Sequence, residues 1–162
     1  MTLALFGFGF LIKKLLDDRS KKLEINHTLY QQNRIAAIGN FFRNYAAVEL
    51  MWKQIHIWGI VQNKLTAEEI DKYIWPSINS LKTSVIELQM YFGKEDQALF
   101  EKILNNVLDI NMELGILMFN PTGTEPLVNR TNKFNFYRDN VFKNNNILLE
   151  KITAKVKELF SN

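Results

Sequence analysis

The chain has no cysteine, two histidines, three prolines and seven glycines in 162 residues. Without cysteine there is no disulfide framework, no thiol nucleophile, no iron–sulfur ligation and no cysteine-type zinc site. His27 and His56 alone leave little material for a metal centre or a Ser-His-Asp relay. So few turn-forming residues argue against an all-β chain. No Gly-rich phosphate loop, nucleophile elbow, zincin helix or EF-hand loop is present. What is there is 47% hydrophobic residues in the length of one domain, enough to bury a core. Asn, Ile, Lys and Phe are abundant and Arg supplies five of the 20 basic residues, as AT-rich codons would give. The run Asn144-Asn145-Asn146 therefore needs no functional explanation.

The net charge of +3 is unevenly spread. Residues 1–64 carry nine basic and four acidic side chains, residues 65–125 four and ten, and residues 126–162 seven and three. Basic ends and an acidic middle suit a bundle whose first and last helices lie against a central hairpin. The alternative is that the basic ends face phosphates on a membrane or a nucleic acid.

Residues 3–12 are ten uninterrupted apolar or Gly positions, followed by Lys13-Lys14 and Leu15-Leu16. As a helix the ten would be about 15 Å long, whereas a bilayer span needs ~20 residues. A secretory signal would place its charge before the run and a small-residue cleavage site after it, and neither is found. Membrane association is therefore expected through Leu3, Leu5, Phe6, Phe8, Phe10, Leu11 and Ile12, with Lys13 and Lys14 at the headgroups. An oligomer-forming plug and a helix folded back on the bundle are the other readings.

Residues 17–34 are polar and free of Pro and Gly, with Leu16, Leu23 and Tyr30 recurring every seven residues. One apolar residue per heptad is too thin a stripe for a globular core, and it predicts a solvated helical stalk or weak coiled coil. The stripe then thickens through Ile38, Phe41, Tyr45, Val48, Trp52 and Ile55, which predicts one long first helix reaching about Gln62. Thr66 and Glu69 form a capping-box pattern, with Leu65 and Ile70 placed as its staple. A second helix follows through Tyr73, Ile74, Ile78, Leu81, Val85, Leu88 and Phe92, with a kink or break at Trp75-Pro76 and a stop at Gly93. A third helix opens at Lys94, a loop spans residues 120–126, and a fourth stripe runs from Phe134 to Leu159, interrupted at Asn144-Asn145. The fold class expected is all-α, an up-and-down four-helix bundle whose long first helix projects as a stalk from the apolar N-terminus. The divisions are residues 1–16, 17–34 and 35–162.

Three groups bear on chemistry. Glu24 and His27 have the Glu-x-x-His spacing of di-iron bundles, but such sites need two of these motifs and two further carboxylates. Glu49, Lys53 and His56 share a helix face without a pocket or orienting partner, so no catalytic residue is assigned. Arg130, Lys133, Tyr137, Arg138 and Lys143, with Phe134, Phe136 and Phe142 among them, interleave basic and aromatic side chains as anion-binding segments do. The plainer expectation is that the aromatics start the fourth core stripe and the cations stay solvated. The function expected is a non-enzymatic, membrane-associated helical module acting through a homo-oligomer or a protein partner, its bundle in the cytoplasm. The alternative is a soluble cytoplasmic sensor binding nucleic acid or a nucleotide through residues 130–143. No cofactor and no metal is expected.

Overall fold

The structure is a computed structural model that describes residues 2–62, 65–119 and 125–160, with side chains for all of these except 2–16, 18, 19, 58, 61, 119, 159 and 160. The helices are α1 (Thr2–Gln54), α2 (Ile57–Gln62), α3 (Ala67–Leu88), α4 (Lys94–Phe119) and α5 (Leu127–Phe160). The fold is an all-α four-helix bundle built from the four long helices, with no strand among the described residues. The chain divides into two units, Met1–Ile38 and Gly39–Asn162.

In the first unit the thin apolar stripe leaves side chains in solvent. Residues 20–30 are all exposed, Leu23 and Ile25 among them, and burial begins only at Ala37 and Ile38.

In the second unit α1 contributes Phe41, Tyr45, Val48 and Trp52, all buried and spaced at 4-3-4 so that they share one helix face. Tyr45 meets Phe142 and Trp52 meets Phe134, so α1 and α5 run antiparallel. Asn44 donates to the Ser80 carbonyl of α3, and Phe41 meets Phe100 of α4 edge to face with centroids 4.9 Å apart. Lys155 pairs with Asp96, Asn106 donates to Asn145, and Arg130 donates to the Leu117 carbonyl, which sets α5 antiparallel to α4 over its whole length. Ile74, Ile78, Leu81, Ile103, Val107, Ile110 and Ile152 complete the core. Each such side chain contributes about 1.5–3 kcal/mol by leaving water.

Helix ends follow local chemistry in some places and tertiary contacts in others. The α3 capping box is complete: the Glu69 amide donates to Thr66 Oγ1, and the Thr66 amide donates to Glu69 Oε2 at 2.8 Å. Those bonds from Thr66 hold the Glu69 carboxyl below its usual pKa. Pro76 does not break α3. It lies on the exposed side, where the carbonyl one turn earlier can be reached by water. The helix stops at Leu88 rather than at Gly93, and Gln97 ties down the turn by donating to the Gln89 and Phe92 carbonyls.

The first helix does not reach Gln62. It ends at Gln54, Ile55 and His56 are non-helical, and α2 begins at Ile57. Continuing the helix would have required the His56 amide to bond the Trp52 carbonyl. That carbonyl instead accepts from Arg138 of α5, at 3.3 Å, and the Ile57 amide turns to the Ile55 carbonyl.

Candidate functional site

The C-termini of α1 and α4 and the N-termini of α3 and α5 share one end of the bundle, where two concavities lie. The first is an apolar cleft of about 560 Å³ between the end of α1, α2 and the start of α3. Its walls include Leu50, Met51, Ile55, Ile60, Ile70 and Ile74, with Gln54 and His56 supplying polar side chains at its edge. It lies at the break after Gln54, with Ile55 and His56 of the break and Gly59 and Ile60 of α2 among its lining. Leu50 and Tyr73, 55% and 71% exposed, carry the apolar walls to the surface.

The second is a polar recess of about 370 Å³ lined by Glu113, Leu117, Glu125, Arg130, Lys133 and Tyr137 among others. Here the structure brings together much of the basic-aromatic segment and supplies its partners. Lys133 pairs with Glu125 at 2.8 Å. Arg130 donates to the Leu117 carbonyl near the end of α4. Arg138, whose side chain is only 13% exposed, pairs with Asp139 and donates to the Trp52 carbonyl near the end of α1. Two arginines of α5 thus sit at the C-terminal ends of two other helices, where unpaired carbonyls and the helix dipole favour cations. Tyr137 is half-buried, and burial with the nearby Asp109 and Glu113 carboxylates raises its pKa. Lys143 is exposed. Phe134 and Phe142 are buried in the core, whereas Phe136 is exposed.

The other sequence candidates are placed more simply. Glu24 and His27 are both exposed, and among the described residues no three His, Asp or Glu side chains gather closely enough to hold a metal ion. Lys53 pairs with Glu49 at 2.5 Å while His56 stays exposed at the cleft. Leu3, Leu5, Phe6, Phe8, Phe10, Leu11, Ile12, Lys13 and Lys14 lie outside the described side chains. Among the described residues no helix is long and apolar enough to cross a membrane.

Periodicity missed the cleft, since it assigned Tyr73 to the core stripe and Ile55 to an unbroken first helix. The available signal was Tyr73 itself, which lies next to Ile74 and off the 4-4-3 spacing of Ile70, Ile74, Ile78 and Leu81. The helix-end roles of Arg130 and Arg138 had no local signal, because their acceptors are 13 and 86 residues away. No family model, curated protein or solved structure matches this chain.

Proposed function

We propose that this chain is a non-enzymatic helical-bundle module that attaches to a membrane surface through residues 3–14 and acts by self-association or by binding a protein partner. The observation that carries the interaction role is the apolar cleft, whose walls continue outward as Leu50 and Tyr73. An open apolar patch on a small bundle is a contact surface more often than an accident of packing. Its lining is mostly aliphatic, with the polar groups of Gln54, His56 and Tyr73 and no carboxylate among them to orient the imidazole as a base. The membrane role is supported by the apolar run and the two lysines that follow it, a combination suited to the interfacial plane.

The anionic-ligand alternative draws on Arg130, Lys133 and Arg138, for which a ligand would compete with Glu125, Asp139 and two helix-end carbonyls. Lys133 and Lys143 are both exposed, and Lys133 already pairs with Glu125. Salt-dependent binding of the full chain to a single-stranded oligonucleotide, weakened by Lys143→Ala, would support that alternative.

Flotation of the full chain with vesicles of mixed neutral and anionic phospholipid tests the membrane role. The wild type and Leu50→Glu/Tyr73→Glu should float, and Phe8→Glu/Leu11→Glu should stay at the bottom of the gradient. Light scattering should show the cleft variant losing self-association that the wild type retains, or binding of a separately identified partner should be lost in that variant. A wild type that never floats removes the membrane role, and a cleft variant with unchanged association removes the contact role.

A further inference from the structure

Along α5 two columns of side chains interleave with a seven-residue repeat. Phe134, Val141 and Leu148 form one column, and all are buried. Thr131, Arg138 and Asn145 form the other, three positions earlier in each case. Thr131 is 5% exposed, Asn145 is fully buried and the Arg138 side chain is 13% exposed. A helix face with this 3-4 alternation is a bundle seam, and here every alternate seam position over two heptads is polar.

Each polar member meets a different environment. Asn145 Oδ1 accepts from Asn106 Nδ2 of α4 at 2.6 Å, and the Asn145 side chain also interacts with the Tyr45 phenol of α1. Arg138 donates to the Trp52 carbonyl of α1. Thr131 Oγ1 is buried without a partner. A seam filled only for stability would hold apolar residues at all three places, as it does at Ile152 in the next heptad.

We propose that Thr131, Arg138 and Asn145 form a register lock that fixes the axial position of α5 in the bundle at some cost in stability. The competing state is a slide of α5 by one heptad, about 10.5 Å. The apolar column opposes a slide only through volume, since Phe134 would take the place of Val141, and Val141 that of Leu148. The polar column separates them. A slide one way sets Arg138 against Asn106 and gives Thr131 to the Trp52 carbonyl. A slide the other way puts Ile152 opposite Asn106 and removes the guanidinium from the end of α1. The middle residue of the Asn144-Asn145-Asn146 run thus has a specific role that composition concealed.

The test is the full chain carrying Asn106→Leu and Asn145→Leu together, compared with wild type by thermal unfolding and amide hydrogen exchange. The lock predicts a raised unfolding midpoint together with more than one set of amide resonances in α5, or with protection there falling about tenfold or more. A raised midpoint with one set of resonances and wild-type protection overturns it, and so does a lowered midpoint with a wild-type spectrum. Should the double variant fail to fold, Thr131→Val decides. Removing an unpartnered hydroxyl at constant shape should raise the midpoint, and a lowered midpoint would show that the polar column is an ordinary stabilising feature.

Discussion

Two stretches of α1 carry apolar residues at the same seven-residue spacing and bury them very differently. Leu23 and Tyr30 are 62% and 44% exposed, whereas Ala37 and Phe41, on the same side of the helix by spacing, are completely buried. Width separates the two cases. Around Leu23 each heptad offers one residue on that face, while around Phe41 and Val48 the adjoining Tyr45 and Trp52 complete a band wide enough to pack against neighbouring helices. A seven-residue period indicates which side of a helix is apolar, and the number of apolar residues per turn indicates whether that side joins a core.

The largest expected contrast comes from truncating both stretches. Phe41→Ala or Trp52→Ala should cost about 3–5 kcal/mol in urea unfolding, because each leaves a cavity in a close-packed core. Ile25→Ala and Leu29→Ala should stay within ~0.5 kcal/mol, as exposed positions do. A large loss at Ile25 would mean that this face is covered in solution.

A smaller effect is expected at the end of the buried stretch. Arg138→Met keeps the aliphatic stem but leaves the Trp52 carbonyl without its donor, and should cost about 1–3 kcal/mol. Hydrogen exchange should localise the loss to the last turn of α1 and to α2. Thr66→Ala should cost ~1 kcal/mol by removing the α3 cap, with no change in the vesicle binding expected of the full chain.

The pH dependence sharpens the contrast between buried and exposed groups. Burial raises the Tyr45 phenol to about 12 from an ordinary value near 10.0, with the Glu49 carboxylate adding to the shift. The folded protein therefore holds that proton more tightly than the unfolded chain does. Its contribution is complete below pH 10 and is lost as the pH rises towards 12. Tyr45→Phe should remove this part of the alkaline destabilisation, as measured by denaturant midpoints across that range. At the acid end Glu69 works in the opposite sense. Its carboxyl is held below 4.5 in the folded state, so its contribution is present above that value and is lost as the pH falls through the lowered one.

Much of the fold was legible because it rests on local chemistry. The α3 cap is spelled out by Thr66 and Glu69, the α4 start by Lys94-Glu95-Asp96, and the stripes of α1, α3 and α4 by residues three and four apart. The errors arose where distant residues intervene. At the early end of α1 the Trp52 carbonyl accepts from Arg138, 86 positions away. Asn145 appeared to interrupt a stripe that it in fact belongs to, because its partner Asn106 is on another helix. The basic-aromatic segment was legible as a core stripe at Phe134 and Phe142, but no local pattern foretells that Arg130 and Arg138 bond to the ends of α4 and α1. The cleft lies at that same break, which no local pattern foretold.

The proposed division of labour, a closed bundle behind apolar surface kept open for contact, is tested most directly by light scattering after size-exclusion chromatography of the full chain, with and without mild detergent. The account predicts self-associated or column-retained protein without detergent and a single smaller species with it. A monodisperse monomer of 19.0 kDa under both conditions would contradict it.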